Sequence, residues 1–148
     1  MIKNEIKCVL DVNCSSNPDQ TMWLIRAIVD NHSVDAVRGL IVSDAVVNET
    51  YNGRTALIYA IVFNRSIYVR MLIYAGAEVN IKYDDGKTAF IDAIWFNRPI
   101  YIIRMLIDAG ADVNIKNNDG VIALLYAVKN DSTYSSVDAI KMLIEADY

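Results

Sequence analysis

The chain carries the segment GRTALIYAI at residues 53–61, and similar segments follow at residues 86–94 (GKTAFIDAI) and 120–128 (GVIALLYAV). The first two copies are each followed by a second shared segment, RMLIYAGAEVN at residues 70–80 and RMLIDAGADVN at residues 104–114. The three copies begin 33 and 34 residues apart. A period of this length, with a glycine turn and two short apolar segments per unit, is typical of stacked helix-turn-helix repeats. The sequence therefore predicts an all-α solenoid whose function is recognition rather than catalysis.

Each unit contains the residues that such a repeat needs at its turn and at the start of its first helix. Gly53, Gly86 and Gly120 lie where a tight turn requires a positive φ, which glycine adopts without strain. Thr55 and Thr88 follow two residues later and are placed to cap the first helix with their hydroxyls.

The second helix of each unit also has recognisable ends. Gly76 and Gly110 fit the left-handed position that closes many helices. In the first repeat this position is Asp44, which costs about 1 kcal/mol if the left-handed conformation persists. Ser33 and Ser136 are expected to be the N-caps of the second helix in the first and the last repeat.

These segments resemble the ankyrin repeat, whose general form runs Asp-x-x-Gly-x-Thr-Pro-Leu-His-x-Ala and, after a second helix, Gly-Ala-Asp-Val-Asn. The resemblance covers about residues 20–148 and implies an ankyrin-repeat solenoid of helix-turn-helix units with β-hairpin-like loops. The family's proline is Ala56, Ala89 or Ala123 here, and its histidine is Ile58, Ile91 or Leu125. Because the histidine position has become apolar, coupling between repeats should depend more on packing. The predicted parts are an N-terminal cap or half repeat (1–19) and four repeats (20–50, 51–82, 83–116 and 117–148).

The fourth repeat differs from the others in two ways. Residues 131–135 are inserted between its helices and are expected to form a surface loop. Its helices are also rich in apolar side chains, so we expect the end of this terminal repeat to be incompletely covered; the apolar residues are Leu124, Leu125, Val128, Ile140, Leu143 and Ile144. Either the protein forms a homodimer or scaffold through this end, or the chain is part of a longer protein whose effector domain follows.

Composition narrows the class of protein. The net charge of −4 argues against a nucleic-acid partner, and no apolar stretch approaches the ~20 residues of a membrane span. The N-terminus has no signal-peptide core, so we expect a soluble cytoplasmic protein. Cys8 and Cys14, with His32, are too few to form a structural zinc site; free thiols fit a cytoplasmic protein better than the alternative disulfide.

The sequence offers no catalytic constellation. His32 is the only histidine, and a structural role in the loop between two helices is favoured for it. Asp84-Asp85 and residues 117–119 resemble carboxylate clusters, but they fall at hairpin tips, where polar residues form turns. The glycines follow the repeat and form no phosphate-binding loop. We therefore expect no enzyme activity, no cofactor and no metal.

The resemblance implies a partner protein bound on a concave surface formed by the hairpin tips and the inner side of the first helices. The tip residues are Tyr51, Asn52, Arg54, Asp84, Asp85, Lys87, Asn118 and Asp119. The residues of the first helices are Val62, Phe63, Trp95, Phe96 and Lys129.

Comparison of the repeats within the chain separates core positions from partner-facing ones. One position is always branched and apolar, which predicts core: Ile28, Ile61, Ile94 and Val128. The next position changes from Val29 to Val62, Trp95 and Lys129, as a partner-facing position would. Trp95 is the predicted hot spot, with Phe96 and Phe63 beside it. The alternative is that these aromatic side chains pack between the helices.

Two further expectations come from resemblance. Asn80 and Asn114 lie in the motif that asparaginyl hydroxylases modify in animal ankyrin proteins, with Leu72 and Leu106 eight residues upstream. The alternative is that their amides brace the hairpins, and a gain of one oxygen in intact mass would distinguish the two. The richness in Ile, Asn and Tyr is similar to ankyrin proteins of large DNA viruses such as poxviruses, or of host-associated bacteria, which implies a host protein as partner and the host cytoplasm as location.

Overall fold

The repeated apolar segments form short helices, as their spacing predicts. The structure is a computed structural model that describes residues 20–41, 44–129 and 134–146. Two compact units divide the chain after Ala77. The N-terminal cap predicted at 1–19, Cys8 and Cys14 lie outside the described residues.

The first unit contains five helices and a hairpin within its described residues. Its elements are α1 (Gln20–Val29), α2 (Val34–Leu40), α3 (Asp44–Asn48), β1 (Thr50–Tyr51), β2 (Arg54–Thr55), α4 (Ala56–Val62) and α5 (Ser66–Tyr74). Helix α4 packs against α1 and α5. The core between them is formed by fully buried Leu24, Ile28, Leu57, Ile61 and Leu72.

The second unit repeats the same plan. Its described helices are α6 (Ala89–Trp95), α7 (Ile100–Asp108), α8 (Ala123–Lys129) and α9 (Tyr134–Ala146). Helix α6 packs against α7 and α8, and α9 packs against α7 and α8. Phe90, Ile91, Ile103 and Leu106 are fully buried in the core of this unit. The predicted all-α class and the helix-turn-helix repeat are confirmed.

The predicted hairpin-like loops are present before α4 and α6. Strands β1 and β2 pair antiparallel, with Thr50 opposite Thr55, and turn through Asn52 (φ 50°) and Gly53 (φ 76°). Two consecutive residues with positive φ are typical of a two-residue hairpin turn. In the next repeat Tyr83 bridges to Lys87. The glycine turns therefore reverse the chain ahead of α4 and α6.

Threonine and serine caps start the helices as predicted. The Thr55 hydroxyl accepts a hydrogen bond from the Ile58 amide at 3.4 Å, and Thr88 caps α6 through the Ile91 amide in the same way. Ser33 caps α2.

An asparagine closes the first helices α1, α4 and α6, a feature that the sequence analysis did not identify. Asn31, Asn64 and Asn97 adopt φ of 56°, 56° and 51°. The amide after each asparagine bonds back to the helix, as in Arg65 N to Ala60 O at 2.7 Å. This is a Schellman closure, in which asparagine takes the left-handed position more commonly filled by glycine. Gly76 and Gly110 close α5 and α7 in the predicted way, with φ of 90° and 91°.

Two predictions about helix ends are wrong. Asp44 is the first residue of α3 and is helical rather than left-handed, because α2 already ends at Leu40 with Ile41 as its C-cap. Ser136 lies inside α9 and is no N-cap, because that helix begins at Tyr134. Residues 134 and 135 of the inserted segment belong to α9 rather than to a surface loop, and residues 131–133 lie outside the described residues.

The prediction that Val128 is core is also wrong. Ile28, Ile61 and Ile94 are at most 3% exposed, whereas Val128 is 54% exposed. Helix α8 covers α6, and within the described residues no further first helix covers α8. At the position of the family's histidine, Ile58 and Ile91 are buried in the core, whereas Leu125 is 48% exposed. Stronger coupling of the repeats by packing stays a prediction.

None of the helices in the described part of the chain combines the length and hydropathy of a membrane span.

Candidate functional site

Trp95 and Phe96 lie side by side at the end of α6 and are exposed. Trp95 is the last residue of α6, Phe96 is its C-cap, and the chain then turns away through Asn97. Their exposed fractions are 47% and 40%, so the structure has the exposed alternative rather than packing between helices. Both rings are therefore partly in contact with solvent. Removing such large aromatic side chains from water is favourable, so their exposure is unusual.

The Trp95 ring is fixed from two sides. The ring of Tyr126 on α8 meets it edge-to-face, with centroids 5.0 Å apart and an interplanar angle of 88°. Tyr126 is itself buried, and its hydroxyl accepts a hydrogen bond from Asn117 Nδ2 at 2.9 Å. The Lys87 ammonium lies 5.6 Å from the Trp95 ring centroid, within the range of a cation–π contact.

The Phe96 ring carries a second cation. The guanidinium carbon of Arg98 lies 5.3 Å from the ring centroid. Partial burial lowers the pKa of Arg98 from its usual value. Because a guanidinium titrates far above neutral pH, Arg98 remains charged under ordinary conditions. Each of the two exposed rings is therefore paired with a basic side chain of the same unit.

The predicted tip residues of the second unit lie together in two adjacent turns. Asp84, Asp85, Asn118 and Asp119 are all exposed. The amide of Asn118 donates a 2.8 Å hydrogen bond to the carbonyl of Asp85, which joins the two turns. Lys87 links this end of the repeat to the aromatic pair, since its ammonium also lies 3.8 Å from the Asp85 carboxylate.

The predicted residues of the first unit form a smaller group. Asn52 is exposed in the hairpin turn, and Tyr51 and Arg54 are half-buried beside it. The carbonyl of Tyr51 accepts a hydrogen bond from a tyrosine hydroxyl of α4 at 3.2 Å. Val62 is half-buried at the end of α4, and Phe63 after it is 44% exposed.

Sequence reasoning missed three residues that shape the site in the second unit. Asn117 and Tyr126 position Trp95, and Arg98 covers Phe96. Lys129, which was predicted, is exposed at the end of α8. The spacing of the repeats gave one indication that Tyr126 lies near Trp95. Tyr126 is equivalent to Asp92, which stands 34 residues earlier in the preceding repeat and lies one helical turn before Trp95.

Asn80 makes the contacts of a bracing residue. Its Nδ2 donates to the Gly110 carbonyl at 2.9 Å, and its Oδ1 accepts from the Asp112 amide at 2.8 Å. Within the first unit, the Nδ2 of Asn48 donates the equivalent hydrogen bond to the Gly76 carbonyl. These bonds favour the structural alternative for Asn80, and hydroxylation of Asn80 and Asn114 stays a prediction.

His32 has structural contacts. It lies half-buried between α1 and α2, and its carbonyl accepts a hydrogen bond from the Tyr68 hydroxyl. Its Nε2 is 4.0 Å from the Asp30 carboxylate. Across the described ranges, no three metal-ligating side chains are grouped as a metal site would require.

Comparison with known proteins agrees with this architecture. A family model described as ankyrin repeats matches the chain in three overlapping copies, at residues 2–83, 24–117 and 69–148. No curated protein matches the chain.

Proposed function

This chain belongs to the ankyrin-repeat family, and we propose that it is a non-catalytic module that binds a partner protein through its hairpin turns and first helices. Ankyrin repeats are generally protein–protein interaction modules. The observation that carries the proposal is the exposed pair Trp95 and Phe96.

The aromatic pair has the properties of an interface anchor. Burying two large aromatic side chains removes apolar surface from water, and tryptophan is enriched among residues that dominate binding energy. Trp95 is already held by Tyr126, so less rotamer freedom is lost when a partner covers it. In the first unit, Phe63 and Val62 hold the corresponding positions, with Tyr51, Asn52 and Arg54 at the hairpin.

The surrounding polar residues would form the rim of the interface. In the second unit these are Asp84, Asp85, Lys87, Asn118, Asp119 and Lys129. Rim residues contribute little individually to affinity and mainly exclude water and select partners.

The double variant Trp95→Ser, Phe96→Ser should lose the partner. Two hot-spot side chains are worth at least about 2 kcal/mol each on truncation, so partner affinity should fall more than a hundredfold. The measurement is capture of a partner from native lysate by immobilised protein, followed by titration of the purified partner.

The matched control is Tyr74→Ser, Tyr101→Ser, which removes two exposed aromatic side chains from the second helices α5 and α7. Circular dichroism checks that both variants are folded. Equal capture by the wild type and the Trp95, Phe96 variant would move the interface away from the first helices and contradict the proposal.

A second candidate function is self-association through the last repeat. Four apolar side chains there are about half exposed: Leu125, Val128, Val137 and Ile144. Leu125 and Val128 lie one turn apart on α8, and Val137 and Ile144 lie two turns apart on α9, which packs against α8. Such a surface fits a homodimer interface.

If this surface pairs two copies, Val128→Lys, Ile144→Lys should convert a dimer to a monomer, because a buried unpaired ammonium is strongly unfavourable. Light scattering gives the mass. The control is Ile67→Lys, which alters an exposed apolar residue of α5. A wild-type protein that is monomeric at the highest concentrations measured would remove this candidate.

Location is a further part of the proposal. The isoleucine-, asparagine- and tyrosine-rich composition supports a protein that acts on a host protein in the cytoplasm of a host cell. Imaging of the tagged chain in host cells would test the location, and an exclusively extracellular signal would contradict it.

A further inference from the structure

We propose that the surface around Trp95 and Phe96 binds a peptide segment in which a carboxylate side chain lies next to an apolar one. This inference rests on the proposed function, because it names the chemistry of the partner segment that the same surface would take.

The apolar part of the segment follows from the aromatic pair. Trp95 and Phe96 are adjacent in the chain and both are exposed. The edge contact with Tyr126, at 5.0 Å between centroids, holds Trp95 in place before any partner arrives. Tyr126 is held in turn by Asn117. A pre-positioned aromatic surface binds an apolar side chain with a smaller loss of conformational freedom than a mobile one.

The acidic part of the segment follows from the cations on this surface. Lys87 lies 5.6 Å from the Trp95 ring centroid and Arg98 lies 5.3 Å from that of Phe96. Lys129 is exposed one helical turn after Tyr126, the residue that touches Trp95. Two positive side chains thus lie against the aromatic pair and a third is exposed on the helix packed beside it, where a partner's carboxylate can approach.

A carboxylate from a partner can compete for Lys87. Its present acidic neighbour is Asp85, 3.8 Å away, whose side chain is 72% exposed. The Lys87 side chain is 25% exposed, so one partner of this ion pair is half-buried and the other is open to solvent. Water and salt screen an ion pair whose carboxylate is exposed in this way. A partner that covers the aromatic pair excludes water and so strengthens electrostatic interactions at this surface. Its carboxylate would therefore interact with Lys87 more strongly than Asp85 does now, and it could interact with Arg98 in the same way.

A cationic partner fits this surface less well. Lys87 and Arg98 already lie against the rings, and a further cation would have to displace them or remain close to them. Residues 78–148 contain 11 acidic and 7 basic residues, and Asp84, Asp85 and Asp119 lie in the turns before α6 and α8. Trp95 and Lys129 lie at the opposite ends of these seven-residue helices, about 10 Å along the axis. That length is close to the Debye length of about 8 Å at physiological salt. The negative charge of the aspartates in the turns therefore offsets the positive charge at the helix ends only in part.

The test is a charge series of three blocked peptides that differ only in the residues flanking a Leu-Phe pair. The sequences are Gly-Glu-Leu-Phe-Glu-Gly, Gly-Gln-Leu-Phe-Gln-Gly and Gly-Lys-Leu-Phe-Lys-Gly, titrated calorimetrically into the purified chain. We expect the glutamate peptide to bind about five- to tenfold more tightly than the glutamine peptide at low salt. The lysine peptide should be the weakest. The preference should shrink in about 1 M salt, where the Debye length falls to about 3 Å.

Variants locate the effect. Lys87→Met keeps the length of the side chain and removes its charge, so the preference for glutamate over glutamine should fall by about half or more. Lys116→Met removes the charge of an exposed lysine outside this surface and should leave the preference unchanged. Trp95→Ser, Phe96→Ser should abolish binding of all three peptides.

Three results would overturn the inference: tighter binding of the lysine peptide, equal binding of all three, or no binding of the glutamate peptide at millimolar concentration. One of these results could occur while the Trp95→Ser, Phe96→Ser variant fails to capture the partner that the wild type captures from lysate. The proposed binding surface would then stand, and only the chemistry assigned to the partner would be wrong. If that variant bound the glutamate peptide as well as the wild type does, the peptide would bind elsewhere and the inference would also fail.

Discussion

Replacing Phe90 by alanine is expected to lower the free energy of unfolding by about 3–5 kcal/mol. Phe90 has no exposed surface, and its helix α6 packs against both α7 and α8. The substitution removes the apolar contacts of a whole aromatic ring and leaves a cavity, because helices held by capped turns can close around it only in part. Urea denaturation followed by circular dichroism gives the change.

The matched control is Phe96→Ala, the same substitution six residues later. Phe96 is 40% exposed and follows the helix rather than lying in the core. Its loss should lower the free energy of unfolding by less than about 1 kcal/mol. Equal destabilisation by the two variants would mean that Phe96 belongs to the core, which would also weaken the case for it as a partner-binding residue.

Gly86→Ala should destabilise the second unit far more than Gly120→Ala, although both glycines adopt a φ of 75°. In each case alanine in the left-handed region costs about 1–2 kcal/mol. At Gly86 the new Cβ would also lie 2.5 Å from Asn118 Oδ1 and 2.9 Å from the Asn118 amide nitrogen. At Gly120 the new Cβ would have no atom of the described chain within 4 Å other than those of Gly120 and its two neighbours in sequence.

The close approach at Gly86 cannot be relieved by rotating a side chain alone. The Asn118 amide is fixed by its 2.8 Å hydrogen bond to the Asp85 carbonyl, so the two turns must move apart. Overpacking of this kind costs about 1–3 kcal/mol beyond the strain of the left-handed backbone. The difference between the two midpoints of urea denaturation measures it. Indistinguishable midpoints would show that the two turns are not held together in solution.

Much of the candidate site could be predicted from the sequence, because the repeats provide internal comparison. The residue that changes from Val62 to Trp95 to Lys129 between otherwise similar units was recognisable as a surface position. Exposure of Trp95, Phe96 and Phe63 agrees with that interpretation. Their role in binding a partner remains a prediction.

The same comparison failed where one repeat has different neighbours from the rest. Val128 has the residue type of a core position, but in the described chain no first helix covers it, so it is exposed. Ser136 was aligned with the cap Ser33, yet the helix continues upstream of it. Similar sequence predicts similar backbone, whereas burial depends on what packs against it.

The sequence by itself determined the repeat and its local geometry. Turns at Gly53 and Gly86, caps at Thr55 and Thr88 and closure at Gly110 depend on φ values and hydrogen bonds between residues a few positions apart. These preferences are properties of the residues themselves, so they can be read along the chain.

Only the tertiary structure decided how the aromatic surface is composed. Tyr126 contacts Trp95 from 31 residues away, and Asn118 of the following repeat contacts the turn that contains Gly86. The placement of Arg98 on Phe96 likewise depends on the course of the chain after the left-handed Asn97. Such contacts form because packed helices bring distant residues together, and a residue type alone does not specify which neighbour it will meet.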